Sequence, residues 1–553
     1  MSDSNVGGRK GRSIRNHCFM VNSIIFETVA QKADPIDIAI FDFKKCFDIL
    51  PPTVVCNDLY ELGIKNDLLN LIHESDRISH VAVKTPLGLT ERKSVTNCVT
   101  QGDTMATLKC VCSVDNMNQK HTKNLSGELY KYKNRVKIPP LGMVDDELVI
   151  SKCGHKSALA TEHHNTQSNL KKLQFGQDKC VKVHVGRQTK VCTENIIDTW
   201  SVEGINGEVV TSILDLIDVE SNPHSMELED SWKYLGDILS SDGKNDLNIR
   251  DKVGKGLGAV TQIIQMLADL VLGPYYYEAA IILRSALLLS TILSNSETWV
   301  NLSMKNVEDL EKVDEEYLRQ LLGAPAKTPI ELLYLELGVV PIRFLLMARR
   351  INYLKYLLCD NEDSLLSHFF KAQCEDPVKG DWVSQVKADL KHLELNLTFD
   401  EIEVMSKEVL KKVVKEKISS KALCYLKELQ QKHSKSQPLQ YEKLCLQDYL
   451  QSDIKSTQRE KSFAFNLRSR MIELKANFKS VQKNLTCRLC GAHEENQPGL
   501  LICQTLNANT DISTGSPPQF SDLYSHDKNK IKLMPQVSTS YRGTRSTPPP
   551  SWS

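Results

Sequence analysis

Residues 141–150, LGMVDDELVI, constrain this chain more than any other stretch. Apolar residues run up to a pair of adjacent aspartates, Asp145 and Asp146, and away from them again. Two apolar segments that meet at a polar tip read as a β-hairpin, with LGMV as one strand, ELVI as the other and the aspartates at the turn. A tight turn delivers both carboxylates to one place at the edge of a sheet. Like charges so close raise each other's pKa, and poor solvation adds to the cost. An isolated Asp-Asp pair is ordinarily a solvated turn. Here the flanking strands argue instead for a site where divalent cations neutralise the charge.

Such a site needs a third carboxylate from a neighbouring strand. Residues 36–42, IDIAIFD, follow Pro35, alternate like a strand and end in Asp42. Strands ending in Asp42 and Asp145 could hold a pair of Mg²⁺ ions about 4 Å apart, the arrangement used in two-metal nucleotidyl transfer. Mg²⁺ takes few protein carboxylates and completes its shell with water and phosphate oxygens.

The surrounding pattern predicts mixed α and β structure. Residues 53–75 carry leucines at helical spacing, and residues 80–95 read as a hairpin about Pro86-Leu87-Gly88. Residues 103–118 and much of 246–300 read as helix. Residues 305–322 present Leu310, Val313, Tyr317, Leu318 and Leu321 on one face, with Gly323 as the stop. Pro341 suits the first turn of a further helix. A chain of 553 residues predicts roughly three or four units. With 41% hydrophobic and 25% charged residues it has ample material for cores. No run of about 18 uncharged apolar residues is present, which argues against a membrane span. The first residues lack the apolar stretch of a secretory signal. Most of the 16 cysteines are scattered singly, as in reduced intracellular proteins.

In order along the chain stand FDFKKCFD, TQGD, MVDD, FGQDKC and KYLGDIL. This succession resembles the palm motifs of reverse transcriptases, and most closely those of non-LTR (LINE-type) retrotransposons. The resemblance covers about residues 5–360. It implies an α+β right-hand polymerase: a remnant of the fingers over 1–35, a palm over 36–244 and a helical thumb over 245–330. It implies RNA-directed DNA synthesis with Mg²⁺ or Mn²⁺ on Asp42, Asp145 and Asp146, with Asp145 the stronger ligand of the pair and the Phe43 carbonyl facing a metal. Phe47 matches the aromatic gate that excludes a 2′-hydroxyl. Gln101 and Gly102 match the motif beneath the incoming nucleotide and template. Lys179 matches the lysine proposed to protonate pyrophosphate. Tyr234 to Asp237 match the primer grip, and Arg12 is placed to meet a phosphate. The implied partners are an RNA template, a DNA primer or target DNA, and deoxynucleoside triphosphates. The implied setting is a ribonucleoprotein of the nucleus and cytoplasm. Only 41 residues precede Asp42, so the resemblance also implies truncation at the N-terminus. The segment after Gln101-Gly102-Asp103 reads TMATLK where the family often has Ser-Pro.

Beyond residue 330 the chain reads as a helical, basic region to 486. Residues 401–486 hold 18 Lys/Arg against 10 Asp/Glu, which reads either as solvated helix faces or as a nucleic-acid surface. Cys487-x2-Cys490, then His493 and Cys503, form a candidate zinc knuckle over 487–503. Gly499 stands where the family places its histidine, so His493 is the available substitute or the site is degenerate. Residues 504–553, rich in Ser, Thr, Pro and Asn, read as a disordered tail. Two alternatives to an active reverse transcriptase stay open. One is a catalytically inactive remnant that still binds nucleic acid. The other is an RNA-dependent RNA polymerase, against which Phe47 argues.

Overall fold

The computed structural model describes residues 2–77, 80–94, 99, 105–127, 129–152, 155–175, 180–186, 202–203, 209–210, 227–228, 230–270, 272–433, 439–454, 456–472, 485–487, 490–494 and 496. The chain forms two compact units where its length suggested three or four. One comprises residues 1–248, 297–302 and 353–388, the other 249–296, 303–352 and 389–553. Helical segments dominate both, and the described strands of named sheets lie in the first.

The first unit opens with α1 (Ile14–Gln31), whose start is capped by the Ser13 hydroxyl and whose end turns on Lys32 in the left-handed region. Strand β1 (Ile36–Asp42) follows and is buried along its length until Asp42, which is half-buried. Next come the short helix α2 (Cys46–Ile49), then α3 (Pro52–Glu61) and α4 (Asn66–Arg77). The spacing of leucines over 53–75 predicted one helix. The structure breaks it at Gly63 and Asn66, both at positive φ (96° and 58°), where glycine and asparagine are the residues that turn a chain most readily. Strands β2 (His80–Val81) to β5 (Lys93–Ser94) make the expected hairpin, with β3 (Lys84–Thr85) and β4 (Gly88–Leu89) at its tip.

Helix α5 (Ala106–Asn124) leads through the ribbon β6 (Lys131–Tyr132) and β7 (Val136–Lys137) to β8 (Leu141–Met143) and β9 (Asp146–Lys152). Helix α6 (His155–Leu170) and β10 (Val181–Val185) follow. After β11 (Val202–Glu203) and β12 (Val209–Val210), which pair together, comes β13 (Glu227–Leu228). The main sheet has the order β13-β10-β1-β9-β8. Strand β1 sits in its centre, antiparallel to β9 and β10. Helix α6 packs on β1 and β9, and α1 on β10. A sheet covered this way buries acids, Asp37 on β1 among them. Asp37 is paired with His184 (2.9 Å) and Lys182 (3.5 Å) across the β1–β10 ladder. The unit's hairpin β14 (Ser231–Tyr234) and β15 (Asp237–Ser240) turns on Leu235 and Gly236, both at positive φ, the demand of a two-residue type I′ loop.

Behind β1, α5 and α6 enclose three buried histidines. His121 and His163 approach through their Nδ1 atoms at 3.3 Å. His164 lies 4.5 Å from the Phe41 ring and 5.8 Å from that of Phe175, centroid to centroid. Neither of its ring nitrogens has a hydrogen-bond partner among the described residues. Burial, then the neighbouring His163, drives its pKa down to about 3. The unfolded chain therefore binds a proton below about pH 6.5 that the folded chain refuses. Stability from this group is complete above pH 6.5 and falls as pH drops toward 3. His164→Phe removes that dependence. Relative to wild type the variant is expected to gain roughly 2–3 kcal/mol between pH 7.5 and 4.5. Denaturant midpoints of both proteins at pH 7.5 and 4.5 measure it, and a gap that does not widen in acid refutes it.

In the second unit, α7 (Asp246–Asp269) and α8 (Tyr276–Leu283) precede a single π turn over Arg284–Leu288 and then α9 (Leu289–Ile292). Helix α10 (Met304–Leu322) starts with a capping box between Ser303 and Asn306 and stops at Gly323 in the left-handed region, as its sequence predicts. It buries Leu310, Val313, Tyr317, Leu318 and Leu321. The π turn aims Arg284 at α10, where it makes two 2.6 Å hydrogen bonds to buried Asp314. Helix α11 (Ile330–Leu337) packs on α16 (Lys407–Gln431), which buries Leu410, Val414, Ile418, Ala422 and Leu426 along one side. Between them the chain runs through α12 (Ile342–Leu358), α13 (Leu365–Glu375), α14 (Trp382–His392) and α15 (Phe399–Val404), of which α13 and most of α14 belong to the first unit. Helix α17 (Gln458–Arg468) closes the series. Buried Glu336 gathers the Tyr441 hydroxyl (2.7 Å) and Arg468 Nε (3.3 Å), while its carbonyl accepts from the Gln447 amide (3.0 Å). Among the described residues no helix is long and apolar enough to cross a membrane.

Candidate active site

The register of the central sheet places the aspartates. Asp42, the last residue of β1, lies directly across from Asp146, the first residue of β9. Met143 pairs with the same Asp146 from the other side, which leaves Val144 and Asp145 as the two-residue turn. The tip is therefore one residue earlier than the sequence suggests: Asp145 sits on the turn and Asp146 belongs to the strand. All three carboxylates are half-buried at one end of the sheet. Val144 carries φ of 64°. A β-branched residue in the left-handed region is strained, at a cost of order 1–3 kcal/mol, and such strain gathers at functional sites.

The turn is held from both sides. Residues 4–6 lie along the free edge of β8, with the Val6 amide donating to the Gly142 carbonyl (3.0 Å) and the Gly142 amide to the Ser4 carbonyl (2.9 Å). Below the turn, Glu147 is fully buried and accepts both Nδ2 hydrogen bonds of Asn118 (3.0 and 2.8 Å). Burial holds its carboxyl well above the usual range, while the Asn118 amide pulls the other way. A Cβ on Gly142 would stand 2.4 Å from Glu147 Oε1, so a larger residue there would displace the Glu147 carboxylate from its place against Asn118. Across the turn, the Cys46 thiol is pushed far up by its hydrogen bond to Cys110, by burial, and by the charges of Cys110, Asp145 and Glu147.

Other motif segments arrive at the same end of β1. Phe43 forms a bridge with Phe175, their rings stacked at 4.9 Å, and the Lys44 amide donates to the Gln174 carbonyl at 2.8 Å. This places the start of FGQDKC beside Asp42, while Lys179 itself lies outside the described residues. Phe47 is half-buried against the core of α3 and α5, and its carbonyl accepts from the Val99 amide at 2.8 Å. Val99 stands two residues before Gln101, and Gln101 and Gly102 also lie outside the described residues. Tyr234, from the second hairpin, is fully buried; burial, then Cys18 and the charges of Glu147 and Asp146, hold its hydroxyl well above the ordinary range. Arg12 is drawn elsewhere, into ion pairs with Asp3 (2.8 Å) and Asp360 (3.1 Å).

The donor set suits a hard cation: carboxylate oxygens, half-buried, at an open sheet end. Among the described residues no three His, Cys, Asp or Glu side chains form a group already set to hold a metal ion. What the fold provides in advance is the register that sets Asp42 against Asp146 beside the Asp145 turn. Toward the C-terminus, the Cys487 amide donates to the His493 carbonyl (2.6 Å), the Gly491 amide to the Cys487 carbonyl (3.0 Å), and Thr486 bridges Glu494. One small turn thus carries Cys487, Cys490 and His493, and Cys503 lies outside the described residues.

Sequence reading missed the partners that support the turn: residues 4–6, Asn118 beneath Glu147, and Cys110 against Cys46. A glutamate inside an apolar strand, Glu147, is the one signal that a buried polar partner was required.

No protein-family model matches the chain, and no curated protein matches it. Solved structures of telomerase are similar at a low level. A telomerase from Candida tropicalis, truncated from its C-terminal domain, shares 14% identity over 38% of this chain and 41% of that chain, with a TM-score of 0.26. A telomerase from Candida albicans in complex with a TWJ fragment of telomeric RNA shares 12% identity over 67% of this chain and 55% of that chain, at 0.28. The apo telomerase of Candida tropicalis shares 11% identity over 70% of this chain and 57% of that chain, at 0.30. The chain spans about half the length of the structures it matches. Scores this low establish no family, and the functional reading rests on the register of the carboxylates.

Proposed function

We propose that this chain is the RNA-directed DNA polymerase part of a non-LTR retrotransposon. The observation that carries the reading is the pairing of Asp42 with Asp146 beside the Asp145 turn, at the sheet end where the flanks of two further motifs arrive. Asp42, Asp145 and Asp146 would hold Mg²⁺ or Mn²⁺, which when bound lowers the pKa of a primer 3′-hydroxyl and neutralises the triphosphate. The Val144–Asp145 turn sets Asp145 beside the strand end that carries Asp146. The incoming deoxynucleotide stacks over the segment holding Gln101 and Gly102, and Lys179 donates a proton to the leaving pyrophosphate. The Phe43 carbonyl adds an oxygen toward the cation. Phe47, buttressed by α3 and α5, blocks the space of a 2′-hydroxyl. The partners are an RNA template, a DNA primer and deoxynucleoside triphosphates, in an intracellular ribonucleoprotein. The lysines of α16 and a zinc site on Cys487, Cys490, His493 and Cys503 supply further nucleic-acid contact.

The test is primer extension by the full chain on an RNA template with a DNA primer, deoxynucleotides and Mg²⁺. Templated products that vanish with chelator support the proposal. No extension under any divalent cation, with binding of the primer–template retained, favours the inactive remnant.

Phe47 gives a sharper readout. Phe47→Val opens the space beside the sugar, and the preference for deoxynucleotides over ribonucleotides is expected to drop roughly 10- to 100-fold, the scale of one lost steric contact. Competing extension with matched deoxy- and ribonucleotides measures it. Unchanged sugar preference removes Phe47 from the gate.

A further inference from the structure

Two thiols lie against each other at the foot of the candidate site. Cys46, the first residue of α2, and Cys110, near the start of α5, have sulfur atoms 3.0 Å apart. Both side chains are buried, 1% and 0% exposed, in the core formed by α3, α5 and the Cys46–Ile49 turn. Two sulfurs in ordinary contact stand farther apart, and a disulfide needs about 2.0 Å. The remaining approach is about 1 Å, within the reach of a side-chain rotation. Cys359 and Cys424, by contrast, are exposed.

We propose that Cys46 and Cys110 are an oxidative modification site, closing to a disulfide that fastens the turn carrying Phe47 to α5. The oxidant is a peroxide. One thiolate attacks a peroxide oxygen, the O–O bond breaks, and a sulfenic acid and hydroxide form. The second thiol then displaces hydroxide from the sulfenic sulfur, and the S–S bond forms. Overall two thiols and one hydrogen peroxide give one disulfide and two waters. Peroxide is small enough to enter with a brief opening of the core, and a buried thiol reacts slowly. The exposed cysteines therefore oxidise first, and the pair follows over a longer exposure. The closed pair joins residues four positions after Asp42 to the helix that carries Asn118. The consequence for catalysis rests on the proposed roles of Asp42 and Phe47, whereas the cross-link does not.

The experiment treats the folded full chain with hydrogen peroxide, unfolds it in denaturant with an alkylating reagent, and digests it without reductant. A peptide pair joined through Cys46 and Cys110, lost after dithiothreitol and absent from Cys110→Ser, is the expected result. Amide exchange over residues 43–50 of the oxidised wild-type chain is expected to slow several-fold and to recover on reduction. Full alkylation of Cys46 and Cys110 after an exposure prolonged well beyond the one that oxidises Cys359 and Cys424 overturns the proposal. So does sulfinic acid at either position without a cross-link. A cross-link that leaves exchange over 43–50 unchanged overturns the fastening of the turn.

Discussion

Gly338→Ala is expected to destabilise the second unit by about 4 kcal/mol, at the upper end of what a single substitution does. Gly338 ends α11 at φ of 65°, a conformation that costs an alanine about 1 kcal/mol. The larger part is space. A Cβ built on Gly338 would lie 2.0 Å from the Cys445 carbonyl carbon, 2.3 Å from its Cα and 2.3 Å from the Leu446 nitrogen. These are backbone atoms, so no side chain can swing aside. The 445–447 segment would have to lift, and it is tied down by the Gln447 amide on the Glu336 carbonyl, next to the Tyr441 hydroxyl on the Glu336 carboxylate. Overpacking that moves backbone costs roughly 1–3 kcal/mol by itself, before the loss of that hydrogen bond. Gly273→Ala is the control, since Gly273 also has positive φ (52°) but open space around it. Thermal unfolding should show a loss of roughly 10 °C for the first and a few degrees for the second. Equal losses would show that conformation, not the close approach of 445, accounts for the glycine.

That glycine marks the limit of what could be read in advance. Period and punctuation made β1, α10 and the 80–94 hairpin legible, because each writes its own boundaries: an alternating run ending at Asp42, an apolar face stopped by Gly323, a turn at Gly88. Helices α3 and α4 hid their break because the leucine spacing continues across Gly63. The Asp-Asp tip was misplaced by one residue because the turn strains Val144, and a valine carries no sign of positive φ. What no local pattern discloses is who meets whom. His121 and His163 are 42 residues apart, and Arg12 and Asp360 are 348 apart. Arg12 looked ready for a phosphate because a basic N-terminal segment shows only its charge. Its two carboxylate partners emerge only when the chain is folded. That Asp42 and Asp146 face each other was legible for the opposite reason: an acid at the end of an apolar strand is conspicuous in the sequence, and here two such ends are paired.

Asp42→Asn is expected to cut Mg²⁺-dependent primer extension roughly 10³-fold or more, and Asp145→Asn to do the same. Each change removes one negative charge from a donor set of three and leaves size and shape almost untouched. The loss should therefore fall on the chemical step, with primer–template binding close to wild type. The fold supplies an independent check. Asp42 stands directly opposite Asp146 at the half-buried end of the sheet, beside the Asp145 turn. Unfolding temperatures of the two proteins without Mg²⁺ show whether the change at 42 disturbs the sheet itself. In the presence of Mg²⁺ the wild-type chain should gain stability by mass action, and Asp42→Asn should lose most of that gain. Activity, binding and the Mg²⁺-dependent shift in unfolding are three separate measurements on the same two proteins. An inactive variant that has also lost stability without Mg²⁺ would mean that Asp42 serves the sheet. A variant that keeps full activity would remove Asp42 from the chemistry, and with it the reason for two strands to end in acids at one point.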